Sequence, residues 1–448
     1  MSRIVAWSLC QGRFRRLLPI LGITVLSFAP IGGCGDDSPG RDGAVSDAAM
    51  DGGPGDGGSD ASVPDPPCRT PLVTGQPFAI DPAGPDTQIH VAASFDGESV
   101  WVVYNRPDPA GGFDVWAVRL DCDGSQRVAP FRVNTTDHND IDPTLAIGGG
   151  RLYLAWQSDN GVFPDNLDLL VRSYLLDGTA VMATDRALDT VRNGLTETGS
   201  HWMPALAPLP GGFAVAGARA VEDASGFQLF VQRLTSDGAD AEESFDASFA
   251  PLGSQTYPSM ASTEDGALYL AYLQAVAPDW DDFALHTAVD PGARVADPLP
   301  AVGPAGRGLA GSVHVAAGTG GEVLLALGDA TVNRIVLTDA THFGSGAPEV
   351  LLGEAGLLNY SPVVAVSPSG GAVAWYRHMA GLQNELWVQG FAFDGSAFSL
   401  GAPELATGEW VPPYQPTITH VKDDVFFVAW SQGTSPAFRL MGVFVELE

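Results

Sequence analysis

The phrase "PTLAIGGGRLYLAW" (143–156) sets two short alternating segments around a Gly-Gly-Gly turn, and the chain rewrites it again and again. The copies before and after it are "IHVAASFDGESVWVVY" (89–104), "PALAPLPGGFAVAG" (204–217) and "PSMASTEDGALYLAY" (258–272). Three more follow, "SVHVAAGTGGEVLLAL" (312–327), "PVVAVSPSGGAVAW" (362–375) and "PTITHVKDDVFFVAW" (416–430). A period of roughly 50–60 residues is that of propeller blades. Alternation of period two makes each half a strand, and the Gly or Asp between them makes the pair a β-hairpin. The first strand carries small residues, Ala146, Ala207, Ala261 and Ala365; the second ends in Tyr104, Trp156, Tyr272, Trp375 or Trp430. Inner strands crowd a propeller axis and need small side chains, whereas aromatics fill the widening space between blades.

A second hairpin turn recurs as "RLDCDGS" (119–125), "YLLDGT" (174–179), "RLTSDGA" (233–239) and "AFDGSA" (392–397). A short outer strand follows, as in "APFRVN" (129–134), "APEVLLG" (347–353) and "APELATG" (402–408). Four locally paired strands per repeat are what a blade requires. No helical periodicity competes after residue 68. The last copy leaves only "FRLMGVFVELE" (438–448), enough for a third strand. "GQPFAID" (75–81) is similar to the outer strand "VAPFRVN" (128–134), so it is predicted to supply the missing fourth. Residues 69–448 are thus expected to form an all-β, seven-bladed β-propeller closed by an N-terminal strand. Six or eight blades are the alternatives, because the fourth and fifth repeats are the least regular.

With 54 glycines and 34 prolines the chain has the turn residues that many short strands need. Its net charge of −31 argues against nucleic acid or an anionic surface as partner. Lys422 is the one lysine and does not follow a glycine, which rules out a P-loop. There is no G-x-S-x-G, H-E-x-x-H or C-x-x-C, so no linear motif announces catalysis.

Ahead of the repeats, Arg3, Arg13, Arg15 and Arg16 precede the apolar run "LLPILGITVLSFAPIGG" (17–33), and Cys34 follows at once. This reads as a signal peptide (1–33) too short to span a membrane. "IGGC" resembles the lipobox of bacterial lipoproteins, which implies lipidation of Cys34, a membrane partner through the lipid anchor, and location at the cell envelope. An ordinary secretory signal cut elsewhere is the other reading. Removal of those four arginines would move the charge from −31 to −35. Residues 34–68, rich in Gly, Asp, Ser and Pro, read as a disordered acidic linker. Of the remaining cysteines, Cys68 lies just before the closing strand and Cys122 in the outer turn of blade one. Either they are bridged, locking that strand, or the turns lie too far apart to meet the Cα limit of about 7 Å.

In a propeller the segments just before the inner strands are neighbours in space. His138, Asp140, Asp142, His201, Trp202, Tyr257, Arg307, Tyr360 and Tyr414 are therefore the candidate ligand-binding rim, polar and able to stack on sugars or peptide side chains. The alternative is that the aromatics cap the core at equivalent positions. Asp159, Asp165, Asp168, Asp279, Asp281 and Asp282 gather in long loops as a calcium candidate, against the default of solvated carboxylates; no metal or other cofactor is assigned. Asp114, Asp168, Asp282 and Glu385 precede third strands at matching positions. "SFDGESVW" (94–101) resembles the Asp box of sialidases with one residue missing, and is read as a hairpin turn. "SPSGGAVAWY" (367–376) resembles the "SPDG" phrase of PD40 repeats in TolB-like propellers, with Ser369 in place of the aspartate. The whole resembles loosely repetitive, kelch-like propeller lipoproteins. That resemblance implies a non-catalytic binding module for a protein or an extracellular polymer. The alternatives are a glycan hydrolase or lyase whose carboxylates converge at the channel mouth, and a scaffold for envelope assembly.

Overall fold

The structure is a computed structural model that describes Cys68 and residues 72–159, 167–188, 191–192, 195–196, 201–220, 227–241, 244–246, 255–275, 283–289, 309–329, 331–341, 346–379, 383–407 and 414–447. Cys34, Arg307, Asp165, Asp279, Asp281, Asp282 and the linker before Cys68 lie outside the described residues. The described elements are all strands. Seven antiparallel sheets follow one another along the chain, and six of them are four-stranded blades. The fourth in chain order has three strands, and the segment where its outer strand is expected, 290–308, is outside the described residues. A small hairpin that the repeat pattern does not announce pairs Val191–Arg192 with Leu195–Thr196.

The inner strands are Ile89–Phe95, Asp140–Gly148, His201–Leu209, Gln255–Ser262, Leu309–Ala317, Asn359–Ser367 and Thr417–Lys422. Each touches the next, and the last touches the first, so the sheets form a closed wheel. Polar side chains stitch this inner ring. Ala93 N donates to Thr417 Oγ1 (3.1 Å), Val315 N to Ser259 Oγ (3.0 Å) and Val364 N to His314 Nδ1 (3.2 Å). Between successive sheets lies one apolar layer each, filled by the aromatics at the ends of the second strands. Trp156, Trp375, Trp430, Tyr104 and Tyr272 are all buried. Sheets three and five are the exceptions, with Gly217 and Gly328 where Trp156 stands in sheet two; in sheet three the space is taken by neighbours of Gly217. A side chain there would meet Leu169 at 2.3 Å, and Leu169 and Phe230 occupy that space.

The wheel closes as the short last copy requires. Phe78–Ala79 pairs antiparallel with the last strand, Ala437–Glu446, in the register Phe78 to Gly442 and Ala79 to Met441. The pairing extends beyond those two residues, with Gly75 N donating to Phe444 O (2.8 Å) and Ile80 N to Leu440 O (3.0 Å). Phe78 stacks on Phe444 with ring centroids 6.1 Å apart. Gly442 makes room for this, since a Cβ there would meet Phe427 at 2.9 Å and Ile80 at 3.1 Å. The Cys68 and Cys122 sulfurs are bonded, with Cα atoms 5.5 Å apart, which ties the start of the closing segment to the outer turn of blade one. Pairing the two chain ends removes an open strand edge.

Candidate functional site: a ring of strained residues at the channel mouth

Six inner strands slip near their first residues, Leu309–Ala317 between Leu309 and Val313, and in the other five the slip has a common form. Pairing with the second strand slips between Ile89 and Ala92, Ile141 and Thr144, Trp202 and Ala205, Thr256 and Ser259, and Tyr360 and Val363. At each slip one non-glycine residue has a left-handed backbone: His90 (φ 53°), Asp142 (52°), Met203 (55°), Tyr257 (52°) and Ser361 (50°). Four of the five are followed by proline (Pro143, Pro204, Pro258, Pro362). A bulge leaves one backbone N–H without a ladder partner, and proline has none to leave. Bulky residues at positive φ cost of order 1–3 kcal/mol each, and such residues cluster where a fold aims side chains at a site.

Because the inner strands form a ring, these five residues encircle one end of the channel. Neighbours in the ring meet. His90 Nδ1 of blade one pairs with Asp142 Oδ1 of blade two. Gln157 Nε2 donates to the other carboxylate oxygen of Asp142 at 2.6 Å. Tyr257 N lies 3.4 Å from Met203 Sδ. The His90 ring packs against Tyr414, from the segment before the last inner strand, with centroids 4.7 Å apart. Burial, and then the negative charge of Asp142, raise the Tyr414 hydroxyl above its ordinary range and keep it protonated. A histidine and a carboxylate from adjacent blades, with a tyrosine beside them, therefore stand together at the mouth. His90 and Asp142 are partly exposed, at 19% and 24%.

The residues proposed from the sequence divide accordingly. Asp142, Tyr257 and Tyr414 belong to the mouth. His138 is half-buried in the turn before the second inner strand. Asp140 and His201 are the first residues of their inner strands and are buried. Trp202 packs beside Phe227 (5.6 Å), and Tyr360 beside Tyr376 (5.8 Å). Burial raises the Tyr360 hydroxyl as well. Arg307 falls outside the described residues. His90, Met203 and Ser361 were missed, although each stands in the same place relative to its repeat as Asp142.

Asp140 has a different task. Its carboxylate accepts from Trp156 Nε1 (3.1 Å), Asn134 Nδ2 (2.6 Å) and Thr136 Oγ1 (3.2 Å). Asn359 holds Trp375 Nε1 in the same way in blade six (3.0 Å), sixteen residues on in both cases. These are latches that fix an indole between blades. His201 in sheet three has Gly217 at that spacing and packs edge-on to Phe230 instead (5.5 Å). Asp114 and Glu385 also serve the sheets, Asp114 bound to Asn134 and Arg132, Glu385 to Arg377 and Trp387. Asp96 accepts from the backbone N–H groups of Glu98 and Ser99 (2.9 and 2.8 Å), the turn role expected for "SFDGESVW". No cluster of three His, Cys, Asp or Glu side chains suited to a metal stands among the described residues.

Burial pushes the Asp140 carboxyl up to about 7, against an ordinary value near 4. Between those values the unfolded chain loses this proton while the folded one keeps it. Stability is therefore full below about pH 4, falls as pH rises, and has lost the whole contribution above 7. Urea midpoints at pH 5 and pH 8 should differ more in the natural protein than in Asp140→Asn. The slope removed is at most about 1.4 kcal/mol per pH unit, and equal differences in both proteins would show that Asp140 ionises freely.

No family model matches the chain, and no curated protein matches it. Among solved structures, an α-L-arabinanase of Penicillium chrysogenum superposes with a TM-score of 0.50 at 13% identity, covering 84% of this chain and 98% of the arabinanase. A protein of unknown function from Dyadobacter fermentans gives 0.49 at 10% identity, covering 84% and 99%. The polysaccharide lyase Uly1 gives 0.49 at 10%, covering 84% and 92%. At 13% identity the likeness to the arabinanase speaks for the fold alone, a β-propeller.

Proposed function

We propose that the channel mouth is a glycan site at which His90, oriented by Asp142, moves a proton, with Tyr414 as its partner acid. The observation that carries this reading is the His90–Asp142 pair, built across two blades on strained backbone at the mouth. The likeness to an arabinanase makes a saccharide the natural class of ligand for this propeller. Two-carboxylate hydrolysis needs a second free acid at the mouth. At the mouth Asp142 is engaged by His90 and Gln157, and Asp140 is committed to Trp156. A histidine–tyrosine pair suits elimination better. His90 Nε2 takes the proton beside a uronate carboxylate, a double bond forms as the C4–O bond breaks, and the tyrosine hydroxyl protonates the departing oxygen. A chain of net charge −31 repels an anionic polymer, so the rate should rise with added salt.

The test is to incubate the full chain with a panel of acidic and neutral polysaccharides while following both unsaturated product by ultraviolet absorbance and reducing ends. His90→Ala should lower product formation by about 10²–10⁴-fold, and Asp142→Asn by a lesser factor in the same range. Reducing ends without unsaturation would replace elimination by hydrolysis. Binding without any product would favour the non-catalytic module. One observation favours that second reading: both Asp142 oxygens are already engaged, by His90 and Gln157, as in a rigid recognition surface.

The same proposal includes a tether. Acylation of Cys34, after removal of residues 1–33, would hold the propeller at the envelope on its acidic linker. Cys34→Ser should release the protein from the membrane fraction, and retention of that variant would remove the tether from the reading.

A further inference from the structure

Outside the channel, one arrangement occurs twice, sealed in one blade and open in another. In blade one the Arg106 guanidinium lies over the Trp116 ring (4.0 Å) and is paired with Asp81, a residue of the preceding segment that is 1% exposed. In blade six Arg377 lies over Trp387 (4.1 Å), its Nη1 3.1 Å from Glu354, again a residue of the preceding segment. Glu385 accepts from Arg377 Nε (3.0 Å) and Trp387 Nε1 (2.9 Å). Here, however, the preceding acid is 64% exposed, and it lines a cavity of about 410 Å³. Arg334, Leu351, Glu354, Arg377, Trp387 and Leu400 line it. Five of the seven exposed large hydrophobic residues among those described, Val332, Leu351, Leu358, Leu400 and Leu405, lie in sheets five and six or the turn between them.

We infer that this cavity, on the flank between blades five and six, is a second saccharide site. Its size falls in the range of small-molecule sites, roughly 300–1,000 Å³. A sugar ring shows C–H faces to apolar walls, here Trp387, Leu351 and Leu400, and pairs of neighbouring hydroxyls to planar two-pronged groups, here Arg377 and Glu354. Two arginines stand against two glutamates in and beside the cavity, so its charges balance, which favours a neutral sugar over a phosphate or a uronate. The inference rests on this lining and not on the chemistry at the mouth. A polymer held at the flank would be kept at high effective concentration near the channel.

Saturation-transfer NMR on the full chain with arabinobiose, xylobiose, cellobiose and chitobiose tests it. At least one disaccharide should give transfer. Leu400→Arg, which fills the cavity from an exposed position, and Glu354→Ala should each weaken binding at least about tenfold with the urea midpoint unchanged. Leu175→Ser, at an exposed position in the outer turn of blade two, should leave the same titration unaltered. Silence across all four sugars, or a signal undiminished in Leu400→Arg, overturns the inference. A signal lost in His90→Ala but kept in both flank variants assigns the sugar to the mouth, which overturns the flank site while supporting the first reading.

Discussion

Asp81→Ala should destabilise the propeller by about 3–5 kcal/mol, the cost of leaving a buried ion without its partner. Asp81 follows the closing strand, and its carboxylate accepts from Arg106 Nε (2.6 Å), Tyr104 OH (2.7 Å) and Gln88 Nε2 (3.2 Å). Arg106 is itself only 12% exposed. Without the carboxylate a guanidinium and a phenol lose their acceptor at the one interface held together by chain ends, while the Gln88 amide keeps the Asp81 carbonyl (3.1 Å). The phenol shows how dry the place is, since burial is the largest cause raising Tyr104, ahead of its bond to Asp81. Asp81→Asn keeps an acceptor and removes the charge, so it should fall between the natural protein and Asp81→Ala. Urea unfolding of the three proteins decides the matter. A loss below about 1 kcal/mol in Asp81→Ala, the scale of an exposed pair, would mean that water reaches Arg106 freely.

Replacing both Cys68 and Cys122 by serine should cost about 4 kcal/mol. The chain-entropy relation gives that figure for the sequence separation of 54 between the bonded cysteines. The bridge also acts locally. Val73 N donates to Cys122 O (3.3 Å), so the segment that leads into the closing strand lies against the turn that bears Cys122. Once unbridged, this segment can peel from the last strand without breaking any inner pairing. Amide exchange should therefore speed up most at Gly75 and Ile80, whose N–H groups bond Phe444 and Leu440, while the inner strands keep their protection. Uniform acceleration across all sheets would show that the seam opens only with the whole wheel.

The architecture was readable because blades are local. Each hairpin turn, small inner residue and terminal aromatic is written within one repeat, and the short last copy with its matching strand at 75–81 pointed to the seam. The mouth was only half readable. Asp142, Tyr257 and Tyr414 stood out as polar or aromatic residues ahead of inner strands. His90, inside "IHVAAS" (89–94), looked like one more strand residue, and its value comes from Asp142 fifty-two positions away. Asp140 was misplaced for the opposite reason. It sits two residues from Asp142, but Asp140 is still in regular pairing and turns its carboxylate into the sheet toward Trp156, whereas Asp142 lies in the bulge after Ile141 and stays at the mouth.

By itself, then, the amino-acid order determined an all-β wheel sewn by its own leading segment, since strand pairing within and between neighbouring repeats depends on short-range alternation and turn chemistry. Tertiary structure alone decided which side chains meet across blades: the His90–Asp142 pair, the sealed and open versions of the arginine–tryptophan stack, and whether Cys68 and Cys122 are bridged. Those meetings depend on the curvature of the ring and on where each bulge aims its residue, and neither quantity is written in any single repeat.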